Sequence, residues 1–157
     1  MEIELVSRWL HLGTVIVLVG GAVFHRFVVV PASAQLMEPQ ASQLREGVIA
    51  RWKRFVHGGI ALLLLTGFYN YLAIGIPSHR GDKIYHAVMG TKILLALVLF
   101  GLISVLVGRS KGTAGLRANA PKWQLVAILL AASLVLASGY LKVMHPKQPA
   151  AVATTAE

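Results

Sequence analysis

Four long apolar stretches, separated by short segments rich in polar and basic residues, set the pattern of this chain. They run from about Trp9 to Val30, Phe55 to Ile76, His86 to Gly108 and Trp123 to Leu141. Each is close to the roughly 20 residues that carry an α-helix across about 30 Å of hydrocarbon. Backbone polar groups in lipid must bond within their own segment, so helices are the expected form. Aromatic residues stand where such helices leave the hydrocarbon: Trp9, Trp52, Tyr69, Tyr71, Tyr85, Trp123 and Tyr140. Pro31, Pro77, Pro121 and Pro146 punctuate the ends, as residues that stop or start helices do. The pattern predicts an all-α, integral membrane four-helix bundle, antiparallel and up-down, over residues 1–145. An Ala/Thr/Pro-rich tail over 146–157 is expected to be disordered.

Composition agrees. The 157 residues are 56% hydrophobic and only 13% charged, which suits one membrane domain without a separate soluble one. Cysteine is absent, so disulfides, thiolate metal sites and iron–sulfur clusters are excluded. The net charge of +9 comes mostly from residues flanking the apolar runs. Loops beside membrane spans account for it, and no nucleic-acid partner is expected. The first loop carries Arg45, Arg51, Lys53 and Arg54, with Arg26 just before it. The third carries Arg109, Lys111, Arg117 and Lys122 and no acid, against Arg8, Arg80, Lys83, Lys142 and Lys147 on the other side. The positive-inside rule then puts loops one and three in the cytoplasm and both termini outside a bacterial plasma membrane. Ala32-Ser33-Ala34 resembles a cleavage site, but Glu2 and Glu4 stand where a signal peptide has basic residues, and His25-Arg26 interrupts its apolar run. The first span is therefore read as retained.

Histidines are the candidate chemistry. An imidazole in hydrocarbon calls for a hydrogen bond, an ion pair or a metal. His11 and His25 lie fourteen residues apart in the first stretch, which on a helix is about 21 Å of rise and only ~40° short of four turns. This is the spacing by which one helix could hold two haems stacked across a bilayer. His86 falls at the depth of His11, and His57 at that of His25, while His145 lies at or beyond the outer surface. Adjacent antiparallel helices could bring His25 and His57 to one point, as the two axial ligands of a haem b, with Arg26, Arg51, Lys53 and Arg54 near the propionates. Interfacial histidines bonded to carbonyls or lipid phosphates are the simpler account of the same pair. Tyr71 stands where a fourteen-residue repeat from His57 would fall, so the second helix lacks the paired ligands of a two-haem cytochrome b.

Lys92 stands inside the third stretch, with sixteen uncharged residues after it. There it must snorkel, pair, lose its proton or coordinate something. His86 is six residues earlier, about 120° away around the helix, so the two do not easily serve one site. Gly20-Gly21 and Gly58-Gly59 allow close helix approach or leave room for a flat macrocycle. No acid lies inside any span, which argues against carboxylate proton relays and hard-cation sites. No phosphate loop or serine–histidine–acid set appears. Met1, Met37, Met89 and Met144 form no copper-binding cluster, although Met89 and Met144 could meet at the outer side.

At these residues the chain resembles the HemJ-type protoporphyrinogen oxidases and the related CopD-like membrane domains. Trp9-Leu10-His11, then Gly20-Gly21 and Arg26, is similar to the opening HemJ pattern. His86 to Leu95, with Lys92 and Leu94, resembles the segment holding that group's intramembrane lysine, and Arg51 to Gly67 has a CopD-like look. The resemblance implies one haem b, with a second left open, held by His11 and Lys92. It also implies oxidation of protoporphyrinogen or passage of electrons, with a quinone or porphyrinogen as lipid-phase partner. His25 and His57 fall outside that pattern and suggest a divergent branch. The expected ligand is His11, paired with Lys92 or His86, with His25 and His57 as an inner site and Arg26 as a cofactor-binding residue. A copper-handling CopD-like permease component and a non-catalytic structural subunit are the rival readings, and a homo-oligomer is left open.

Overall fold

Uninterrupted apolar sequence of this length has one economical way to satisfy its backbone, and the chain takes it throughout. The computed structural model describes residues 2–146. They form four membrane-length helices: α1 (Glu2–Ser33), α2 (Glu38–Ser78), α3 (Lys83–Val107) and α4 (Ala120–Met144). No strand occurs among the described residues. The length and hydropathy of the four are those of a multi-pass membrane protein. The tail expected beyond Pro146 lies outside the described residues.

The helices are longer than the apolar runs that define them. α1 starts at Glu2 rather than near Trp9, and α2 at Glu38 rather than near Phe55. Arg45, Arg51, Lys53 and Arg54 therefore ride on a helical extension of α2, not in a loop, and only residues 34–37 make the turn. Glu38 opens this extension with Pro39 in its first turn, and Arg45 folds back to Glu38 at 3.1 Å. The end carrying these cations is termed the basic side. The opposite end, with the start of α1, the α2–α3 turn and the end of α4, is the terminal side.

Nor do Pro31 and Pro77 end their helices. Each follows a π-helical segment, His25–Val29 in α1 and Asn70–Gly75 in α2. The N–H of Val30 reaches back five residues to His25 O, and that of Ile76 to Tyr71 O. A proline offers no N–H and its ring crowds the carbonyl four residues earlier. Widening the preceding turn relieves that crowding, and the helix continues for another few residues.

Successive helices pack as neighbours, and α4 returns to α1 to close the ring. Three contacts set the antiparallel α1–α2 register. Gly21 lies against the Trp52 indole, Gly59 against Leu18, and His11 against Gly67. The α3–α4 seam is built on Leu99, Ala127 and Ala131, with Val19 of α1 packed against them. The two alanines let α4 approach closely, as small residues do between membrane helices. Leu65, Leu94 and Leu136 point away from the bundle, as lipid-facing residues should.

Candidate functional site

Beyond the Leu99 cluster, towards the terminal side, the interior turns polar. α1 contributes Ser7 and His11, α2 contributes Thr66 and Asn70, and α3 contributes Lys92. Ser7 and Thr66 are buried, and His11, Asn70 and Lys92 half-buried. His11 Nδ1 lies 2.8 Å from Thr66 Oγ1. The Thr66 hydroxyl has one proton, and it is directed at Leu62 O, 2.6 Å away. Thr66 Oγ1 must therefore accept from His11, which places the ring proton on Nδ1 and leaves a lone pair on Nε2. Gly67 makes room for the ring, since a Cβ there would come within 3.2 Å of His11 Cε1. One turn towards the terminal side, Ser7 Oγ and Asn70 Oδ1 are buried without hydrogen-bond partners among the described residues.

Lys92 is close enough to act electrostatically on His11. It has no hydrogen-bond partner among the described residues, and it lines a groove of about 240 Å³ between α3 and α4. Met89 is half-buried and Met144 exposed.

The remaining histidines are differently placed. His86 is engaged at both nitrogens: Nε2 donates to His79 O at 3.0 Å, and Nδ1 accepts from the Tyr71 hydroxyl at 3.3 Å. It belongs to a clasp on the terminal side. There His79 stacks on Tyr85 at 3.6 Å, its Nδ1 on Gly75 O and its Nε2 on His145 O, each at 3.0 Å. His145 Nδ1 meets Asp82 Oδ2 at 2.6 Å, while Asp82 Oδ1 caps α3 by accepting from Tyr85 N at 2.9 Å. The Tyr85 N–H first, and His145 second, hold the Asp82 carboxyl below the usual carboxylate range.

On the basic side, His25 is bonded to Gln124 of α4, whose amide Nε2 lies 3.3 Å from His25 Nδ1. Arg26 Nε and Gln124 Oε1 are buried there without hydrogen-bond partners among the described residues. His57 is exposed and donates Nδ1–H to Lys53 O, 2.8 Å away in its own helix. No hydrogen bond, ion pair or ring contact joins His25 to His57 among the described residues. Of the predicted site residues, His11 and Lys92 lie within electrostatic range but on different neighbours, Thr66 of α2 and the α3–α4 groove, while His86 is engaged elsewhere and His25 and His57 have separate partners. Ser7 and Thr66 were not singled out from sequence. A hydroxyl such as Thr66 inside a run of leucines was the available signal.

Among the described residues no group of three or more His, Cys, Asp or Glu side chains could hold a metal ion. A haem iron needs only one or two axial nitrogens. No known family model, curated protein or solved structure matches the chain.

Proposed function

We propose that this protein is an integral membrane haem b-binding redox protein, similar in kind to the HemJ-type and CopD-like proteins, in which His11 would hold the iron. One observation carries the reading: the His11 tautomer. A ligating imidazole usually donates its second ring N–H to a fixed acceptor, which sets ring orientation and raises ligand basicity. Thr66 does this for His11, and Nε2 has no protein partner among the described residues. The donor set fits iron. Ser7 Oγ and Asn70 Oδ1, one turn from His11 and Thr66, are buried without hydrogen-bond partners among the described residues and could bond a polar group held there.

Bound haem would supply one-electron chemistry. The chain's own residues do the rest. Thr66 holds the imidazole by its Nδ1–H, Gly67 admits the ring, and the surrounding spans exclude bulk water. The excess of cations at the basic side supports a cytoplasmic location for that end, with both termini outside a bacterial plasma membrane.

The test is an absorption spectrum of the full chain purified from haem-replete cells, with iron and haem quantified per polypeptide. A Soret band with α and β bands on reduction is expected, and His11→Ala should abolish or shift it. Copper without iron would favour the permease reading, and a colourless, metal-free protein the structural one. Loss of the spectrum in His25→Ala or His57→Ala, with none in His11→Ala, would move the site to the basic side.

A further inference from the structure

The clasp on the terminal side holds a buried ring that the haem reading does not use. His79 is only 6% exposed, and its two nitrogens face Gly75 O and His145 O, each at 3.0 Å. A carbonyl oxygen only accepts, and a neutral imidazole carries a single N–H. Both bonds are made at once only by the imidazolium. Its surroundings suit that charge. Tyr85 stacks flat on the ring, with 3.6 Å between centroids and 2° between planes, an arrangement that favours a cation over the aromatic face. The Asp82 carboxylate lies within electrostatic range and supplies the opposite charge.

The neighbouring titratable groups have other work. The Tyr71 hydroxyl of α2 donates to His86 Nδ1, and His86 Nε2 of α3 donates to the His79 carbonyl. At the end of α4, His145 Nδ1 donates to Asp82 Oδ2 at 2.6 Å, a bond that either protonation state of His145 can make. Tyr140 faces the His145 ring. Arg8 of α1 is in electrostatic range of Tyr85, and Arg8, Arg80, Lys83 and Lys142 are exposed.

The two carbonyls bonded to His79 are not equivalent. Gly75 O lies four residues earlier in the same segment, whereas His145 O lies 66 positions away, just past α4. When the ring gives up one proton to water, one nitrogen presents a lone pair to a carbonyl and that contact turns repulsive. The short-range bond can be kept by the ring and its own helix, so the bond between elements is the one that parts. The tie is present at low pH and lost as the pH rises.

We propose that His79 is a pH latch: as the imidazolium it ties the C-terminal end of α4 to the α2–α3 turn, and loss of one ring proton frees that end. The latch stands whether or not His11 carries haem.

The chain has no cysteine, so paired spin labels at Arg80→Cys and Val143→Cys, both exposed positions, report the distance from the turn to the end of α4. The full chain in lipid nanodiscs should give one short, narrow distance at about pH 5. At about pH 8.5, on the other side of the ordinary histidine value of about 6.5, a longer and broader population should appear. The closed-to-open ratio should fall roughly tenfold or more between them, the loss expected for one hydrogen bond from a charged donor. His79→Phe keeps a ring against Tyr85 and should be open at both pH values. His145→Ala should keep the pH step, because the acceptor on that residue is its backbone carbonyl. Asp82→Asn should move the step to lower pH, since the imidazolium loses its counter-charge. Nitrogen-15 spectra of histidine-labelled protein should show both His79 nitrogens protonated at about pH 5, assigned by their loss in His79→Phe. A bare His79 nitrogen at that pH would overturn the proposal, as would equal distances at both pH values or a step that survives His79→Phe. The step should persist in His11→Ala, which separates the latch from the haem reading.

Discussion

Replacing Thr66 by valine tests the His11 site at its hinge. The branched shape is kept, but the acceptor of the 2.8 Å bond from His11 Nδ1 is gone. Leu62 O loses a hydroxyl donor, and the helix bonds around it remain, so the main consequence falls on the imidazole. Hydrogen bonds between membrane helices contribute about 0.6 kcal/mol on average and up to about 1.7. His11 is half-buried and cannot be fully rehydrated, so a loss of about 1 kcal/mol on unfolding is expected. The ring also loses the contact that keeps its proton on Nδ1, so the tautomer with a bare Nε2 is no longer favoured. Removing such an orienting partner typically lowers metal affinity by about 10–100-fold. Affinity should therefore suffer more than stability, and Thr66→Ser should restore both. Unfolding in mixed micelles gives the first quantity, and haem titration followed at the Soret band gives the second. A double-mutant cycle with His11→Ala should return a coupling of about 1 kcal/mol. A coupling near zero, with unchanged haem affinity in Thr66→Val, would refute the argued role of the bond.

Three further outcomes follow from particular contacts. A Cβ at Gly21 would run into the Trp52 ring, whereas Gly20 has nothing within 4 Å. Gly21→Ala should cost about 1–3 kcal/mol by overpacking, and Gly20→Ala should be neutral or stabilising by up to about 1 kcal/mol; equal effects on unfolding would break the α1–α2 register described. The depressed Asp82 pKa means its contribution is full above the ordinary carboxylate value of about 3.9 and is lost as the pH falls through its lower folded value. Wild type should therefore lose stability more steeply than Asp82→Asn on acidification below about pH 4, and parallel curves by circular dichroism would contradict the clasp. His57→Ala should change stability by no more than about 0.5 kcal/mol and leave any haem spectrum intact; bleaching would restore His57 as a ligand.

The four spans were legible because each is a long apolar run with aromatic ends, and nothing but helix suits such a run in lipid. Their ends were not. Arg45, Arg51, Lys53 and Arg54 have good helix propensity, and a helix that has left the membrane can simply go on, so the first connection shrank to residues 34–37. Pro31 and Pro77 misled for a related reason. In water a proline stops a helix by stranding a carbonyl, but within a packed bundle a single widened turn absorbs the strain. His11 was legible as an anomaly in an apolar run. Its anchor was not, because the Thr66 hydroxyl reaches it from a different helix, 55 positions away in the chain.

The histidine spacing shows how far a helical wheel can be trusted. Fourteen residues place His11 and His25 on one side of α1, with a lag of about 40°. At the level of a single helix that counts as alignment. Inside a bundle it decides which neighbour each ring meets, because α1 presents its inner side to both α2 and α4. His11 is turned to α2 and meets Thr66, while His25 is turned to α4 and meets Gln124. The π segment begins at His25 itself, so the widened turn does not enter the interval between them, and the lag is that of a regular α-helix. Gly21 against Trp52 and Gly59 against Leu18 then hold α1 at a fixed rotation on α2. Height was readable from the spacing, and so was the shared side. The partners followed from the residual angle, which acquires meaning only once the neighbouring helices are in place.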